Sequence, residues 1–206
     1  MARMEILMND KFYELSKDKQ DKLINGGMRV FATNRYSSAS TDEMVRVSGV
    51  SKGLWFHYFE NKIGLYYFVC SYSVRYILLE LSMKHSEKKM DYFQTKLAIE
   101  KVKMSLVEKY PYLPLLLLNI NDEINEEAVN EIREIRDSYN NFIFDMVVKS
   151  YSASFKDEKV ARKVNYIIDA TFEKLLREEY RAPFFNSKKY LERITDYLEL
   201  TKKYSV

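Results

Sequence analysis

Helix breakers are scarce in this sequence: its 206 residues include 5 glycines and 3 prolines. A β sandwich or barrel needs many more turn residues, so the shortage argues for long helices. Cysteine is scarcer still. Cys70 stands alone, which excludes an internal disulfide framework and suits a reducing cytoplasm. His57 and His85 are the two histidines, too few with one cysteine to build a metal-ligand cluster. The sequence has no G-x-S-x-G elbow, no Walker-type loop and no dinucleotide fingerprint. No apolar run approaches the ~18 residues of a membrane span, and the N-terminus lacks the apolar core of a signal peptide. These absences predict a soluble, cytoplasmic, all-α protein with no cofactor and no membrane partner. They also count against an enzyme, whose site would have to be assembled from carboxylates scattered over helix faces.

What is present is a hydrophobic content of 47%, ample for a buried core in a chain of this length. The net charge of +3 is only mildly basic. Over residues 1–60, nine basic side chains face eight acidic ones, so charge balance by itself does not point to nucleic acid. Periodicity predicts a first helix over about 17–34, with Leu23, Ile24, Gly27, Val30 and Phe31 on one stripe. Gly26-Gly27 inside it costs roughly 1 kcal/mol per residue against alanine, a cost that close approach of a crossing helix would offset. Residues 1–16 read as a short helix or an ordered arm packed on that first helix.

The most informative stretch is Ser40 to Lys62, S-T-D-E-M-V-R-V-S-G-V-S-K-G-L-W-F-H-Y-F-E-N-K. Ser40 and Glu43 make an S-x-x-E capping box that opens a helix. Ser48-Gly49 supplies the turn that ends it. Ser51 caps a second helix to Tyr58, and Asn61 caps a third that begins at Lys62. Two short capped helices around a glycine turn predict a helix-turn-helix over residues 40–58, whose second helix enters a DNA major groove.

From Gly49 to Lys62 the chain resembles the signature of TetR-family transcriptional regulators, G-V-S-K-G-[ST]-[LI]-[YF]-x-[YH]-F-x-x-K. Phe31 to Tyr36 is similar to the end of that family's first helix, and the likeness covers about residues 17–66. The resemblance implies an N-terminal three-helix helix-turn-helix DNA-binding domain (1–62) and a C-terminal helical ligand-binding and dimerisation domain (63–206). It implies a homodimeric repressor that leaves a palindromic double-stranded operator when a small-molecule effector binds. Lys52, Gly53 and His57 are then the candidates for groove contacts, and Ser40, Thr41, Tyr58 and Lys62 match positions that hold phosphates. Three residues depart from the pattern. Leu54 replaces Ser or Thr and removes a polar contact. Phe56 stands where Tyr is usual and offers a thymine methyl an apolar surface. Trp55 replaces Leu or Ile and is expected to point into the three-helix core.

The C-terminal half is predicted to be helical throughout, over about 61–83, 90–110, 121–150, 157–180 and 187–204, with Pro111 and Pro114 breaking the pattern before a short buried Leu115–Leu118 helix. Phe93, Met104, Tyr110, Phe142, Phe144, Met146 and Phe172 either line a pocket, suited to a lipophilic ligand, or fill the core. Val160, Val164, Ile167, Thr171 and Leu175 on one helix and Leu191, Ile194 and Leu198 on the next either pair with a second copy in a four-helix interface or face the chain's own interior. Two rivals remain at this point: a TetR-like protein acting through protein partners, suggested by the apolar Leu54-Trp55-Phe56, and an all-α enzyme.

Overall fold

The computed structural model describes residues 10–84 and 90–205. They form helices joined by short loops, with no strand among the described residues. A one-turn α1 (Asp10–Tyr13) precedes α2 (Lys17–Thr33), a 3-10 turn (Tyr36–Ser38), α3 (Thr41–Ser48), α4 (Lys52–Phe59) and α5 (Lys62–Lys84). Then come α6 (Tyr92–Ser105), α7 (Leu113–Asp122), α8 (Glu126–Tyr151), α9 (Glu158–Arg181) and α10 (Ser187–Ser205). Among the described residues, no helix is long and apolar enough to cross a membrane.

The helices fall into two compact units. Residues 10–76 with 108–137 form the first, and 77–84, 90–107 and 138–205 the second. The unit that carries the helix-turn-helix therefore extends beyond residue 62. It takes in much of α5, all of α7 and the start of α8.

In the first unit, α2 buries Leu23, Ile24, Met28, Val30 and Phe31 along one face. Its two glycines face neighbouring helices. A Cβ on Gly26 would lie 2.8 Å from Ser48 Cβ, and one on Gly27 would lie 2.7 Å from Val69 Cγ2. Neither distance is tolerable, so α3 and α5 approach α2 where it has no side chains. An aromatic cluster closes the unit: Phe12 packs at 4.8 Å from Phe68 and 5.8 Å from Phe59, and Phe31 at 4.8 Å from Tyr66. Phe12 is buried. The predicted arm lies outside the described residues up to residue 9; its described part rests on rings of α4 and α5 as well as on α2, where Gln20 donates to the carbonyls of Tyr13 and Leu15. Pro114 sits in the first turn of α7, where its missing N–H costs nothing. The predicted helix from Asn121 instead starts at Glu126, because Glu123 and Asn125 take the backbone N–H groups that begin it.

The second unit is built around α6. Its apolar interior comes from Ile99, Val102 and Met104 of α6, Ile168, Phe172, Leu175 and Leu176 of α9, and Tyr190, Ile194 and Leu198 of α10. Charges are buried with them. Glu100 accepts from Lys103 Nζ at 2.7 Å and from Tyr190 Oη at 3.0 Å, tying α6 to α10. Burial opposes the Lys103 charge, but Glu100 and Tyr139 of α8 outweigh it and raise the pKa. Lys96 pairs with Asp169 of α9, which also accepts from Asn165, the partner of Tyr92 Oη.

Two stability tests follow from this packing. Gly27→Ala gains up to about 1 kcal/mol of helix propensity but drives a methyl into Val69, itself fully buried. Overpacking of this kind costs about 1–3 kcal/mol, so the midpoint of urea unfolding should fall; a rise would contradict the close crossing. Lys103→Met leaves Glu100 buried without its cation and should cost about 3–5 kcal/mol. Adding Glu100→Gln should recover part of that loss, whereas additive losses would show that the two charges are not coupled.

Candidate nucleic-acid interface

The local sequence explains why α3 and α4 stop and start where they do. Ser40 Oγ accepts the Glu43 N–H at 3.4 Å and opens α3. The other half of the expected capping box is not made: the Glu43 carboxylate lies 3.5 Å from Arg46 instead. Gly49 closes the helix at φ 67°, in the left-handed region that glycine enters without strain. Ser51 Oγ accepts the Leu54 N–H at 3.4 Å and opens α4, and Asn61 Oδ1 accepts the Gly64 N–H at 2.8 Å at the head of α5.

Helix α4 has an inside and an outside. Trp55 and Phe59 are buried, with Trp55 facing the glycine surface of α2. Lys52, Gly53, Phe56 and His57 are exposed on the opposite side, and Leu54 and Tyr58 are half-buried along its edge. A Cβ on Gly53 would meet nothing within 4 Å, so a second surface can come close to the backbone there. His57 lies edge-on to Tyr58 at 4.9 Å. Lys52 reaches back to Asp42 of α3 at 2.7 Å, an exposed ion pair joining the two helices of the motif.

The flanking groups converge on Tyr36. Lys62 Nζ lies 4.6 Å over the Tyr36 ring and donates to the Ser37 carbonyl at 3.4 Å. Desolvation lowers the Lys62 pKa against the opposing pull of Glu123 and Glu127. Glu123 accepts the Tyr36 N–H at 2.8 Å, and the Tyr36 hydroxyl donates to Glu127 at 3.5 Å. Burial, then the Glu127 carboxylate, pushes the Tyr36 phenol up to about 12. Ser40 is exposed and Thr41 half-buried beside this cluster in sequence. Tyr36, Glu123 and Glu127 are participants that sequence reasoning missed. Tyr36 was legible as the residue closing F-A-T-N-R-Y; nothing in the sequence marks the two glutamates, which sit 87 and 91 residues away.

The expected ligand set is only partly assembled. Phe93, Met104 and Phe172 are buried in the second unit, and Phe142 and Met146 are half-buried on its α8 segment. Phe144 is exposed. Tyr110 belongs to the first unit, where its hydroxyl is 2.6 Å from that of Tyr72. Met104 lines an open groove of about 590 Å³ between α6 and α10, with Lys101, Leu191 and Thr195; the other candidates do not line it. A second cleft, of about 360 Å³, lies in the first unit among Asp18, Lys22, Asn25, Arg29, Ser48 and Tyr112. No group of three or more His, Cys, Asp or Glu is placed to hold a metal ion among the described residues.

The candidate dimer residues divide by burial. Val164, Leu175, Ile194 and Leu198 are buried in the chain's own core, Thr171 and Leu191 are half-buried, and Val160 and Ile167 are exposed. The outward apolar face also includes Tyr166 of α9 and Tyr197, Leu200 and Tyr204 of α10, which the stripe reading passed over.

No protein-family model matches the sequence, and no curated protein is similar enough to be matched. Solved structures are similar in fold. A TetR family transcriptional regulator from Chloroflexus aurantiacus J-10-FL superposes with a TM-score of 0.65 at 16% identity, covering 95% of this chain and 96% of that one. The TetR family transcriptional regulator PfmR from Thermus thermophilus gives 0.53 at 16% identity, covering 88% of this chain and 97% of that one.

Proposed function

We propose that this chain, which has the all-helical fold of TetR family transcriptional regulators, is itself such a regulator. In this reading residues 1–62 are the DNA-binding domain and 63–206 the ligand-binding and dimerisation domain. The observation that carries it is the division of α4 into a buried side, Trp55 and Phe59, and a continuous exposed side, Lys52, Gly53, Phe56 and His57. That is the arrangement a recognition helix needs: its own core fixes its orientation, and the free face enters the groove. The rival in which Leu54-Trp55-Phe56 forms an apolar patch for a protein partner loses its central residue, since Trp55 is buried.

The protein acts as a homodimer on a palindromic operator, its two recognition helices about 34–36 Å apart to meet successive major grooves. The outward apolar residues of α9 and α10, Val160, Ile167, Tyr197 and Leu200, support pairing with a second copy. It works in the cytoplasm by binding rather than turnover. A small effector releases the DNA to the extent that it binds the DNA-incompetent state more tightly, and repression is the sign of regulation. Ser40, Thr41, Tyr58 and Lys62 hold phosphates, while Gly53, Leu54, Phe56 and His57 face base edges.

Gel shifts of the folded protein on genomic fragments test the reading, and absence of any sequence-specific complex at moderate salt would end it. Lys62→Ala should weaken binding to all sequences alike and reduce the slope of log K against log salt by about 1. His57→Ala should relax preference at one base position of each half-site. Circular dichroism of both variants should be unchanged; if their DNA binding is unchanged too, the wrong surface has been chosen.

A further inference from the structure

The exposed side of α4 offers the groove few groups that read a base by hydrogen bonding. Guanine is most often recognised by arginine or lysine, and adenine by asparagine or glutamine. Lys52–Phe59 contains no arginine, asparagine, glutamine, serine or threonine. Its one lysine is held 2.7 Å from Asp42, so Lys52 reaches a base only by giving up that partner. Glu60, the exposed C-cap, lies beyond the last turn of α4, far from the N-terminal residues that approach base edges. What the face does present is Phe56, 37% exposed, one turn after Lys52 and beside His57. A phenyl ring held at the surface of a folded motif gains nothing from water and has no hydrogen bond to offer. The C5 methyl of thymine is the apolar feature of the major-groove edge.

Building on the DNA-binding reading above, we propose that Phe56 reads the C5 methyl of a thymine in each operator half-site, which makes Phe56 a specificity-determining residue. Recognition of that base pair then rests on the methyl group rather than on a donor or acceptor of the base edge. Phe56 supplies the contact because α4 is locked by Trp55 and Phe59 on its opposite side, so the ring cannot turn inward without unpacking the motif. Gly53, with open space around it, lets the helix come close enough for a ring-to-methyl contact.

The experiment begins with selection of the operator from random duplexes by the full-length protein. Each thymine of the selected half-site is then replaced singly by 2′-deoxyuridine, which removes the methyl and leaves the hydrogen-bonding edge intact. One thymine, symmetric in the two half-sites, should lose roughly threefold to tenfold in affinity, the scale of one buried methyl group. Phe56→Ala should bind more weakly and show no further loss at that deoxyuridine, whereas Phe56→Leu, still apolar, should retain sensitivity. Cytosine at the same position should bind weakly, and 5-methylcytosine should recover part of the affinity by restoring a methyl at the same place. Specific binding with no deoxyuridine effect would overturn the methyl readout, and an undiminished effect in Phe56→Ala would assign it to another residue. Failure to select any sequence at all would instead overturn the DNA-binding reading on which this one rests.

Discussion

Helix α4 depends on one packing contact, the indole of Trp55 against the glycine surface of α2. A Cβ on Gly26 would stand in contact with Trp55 Cζ2 at 3.4 Å and clash with Ser48 Cβ at 2.8 Å, so a side chain there would drive α3 away from α2 beside the indole. An eight-residue helix is not stable by itself in water. α4 therefore exists because Trp55 and Phe59 are buried, and burying an aromatic of this size is worth about 5 kcal/mol in apolar area. The indole N–H finds no hydrogen-bond partner among the described residues, an omission that costs on the order of 1–3 kcal/mol. Shape outweighs hydrogen bonding at this position. The larger ring in place of Leu or Ile goes with a glycine pair on the facing helix, and together they set which side of α4 is left for a partner.

A second constraint acts at the other edge of the motif. Glu123 is nearly fully buried, yet its carboxylate is satisfied by the N–H groups of Tyr36, Ile124 and Asn125. One side chain thus ends the run from α7, starts the approach to α8 and fixes the 3-10 turn that carries Tyr36. Tyr36 in turn supports Lys62 through its ring. The position of the α7–α8 corner is in this way tied, within the first unit, to a lysine at the edge of the proposed DNA surface. A displacement of that corner would alter the seat of Lys62 without touching any residue of α4.

Much of this architecture is legible in the sequence because it is encoded locally. Ser40, Gly49, Ser51 and Asn61 each act within four residues of themselves, and the helix ends they set agree with the structure to within a residue or two. The parts that escape are of two kinds. Glu123, Glu100 and Lys103 look like members of solvated helix faces, since a charge pattern does not reveal that Tyr36 or Tyr190 will arrive from 87 or 90 residues away. The stripe of α9 mixes two environments for a different reason. Its apolar residues occupy two adjacent faces, one inward with Ala161, Val164, Ile168, Phe172 and Leu175 and one outward with Val160 and Ile167. A three- and four-residue spacing drifts from one face to the other along the helix, so the spacing cannot tell them apart. Tyr110 ends the stretch that the periodicity joins to α6, yet from Glu108 onward the chain belongs to the first unit while α6 belongs to the second.

The electrostatics of the first unit bear on how such a protein would select DNA. The cations of the motif are already engaged within the chain: Lys52 with Asp42, Arg46 with Glu43, and Lys62 with the Ser37 carbonyl in the field of Glu123 and Glu127. Exposed pairs of this kind are worth little as stability, a few tenths of a kcal/mol to about 1. Their effect on DNA binding under the proposed function would be larger, because a phosphate would have to compete with the carboxylates of Asp42 and Glu43 and the Ser37 carbonyl already in place. Non-specific affinity, which grows with the number of phosphates neutralised, would be held down accordingly. A sequence-independent background that is weak lets a small groove contribution decide between sites. Under the proposed function, a motif with so little net charge would leave a greater share of the discrimination to the fit of Gly53, Phe56 and His57 to base edges than a strongly basic one would.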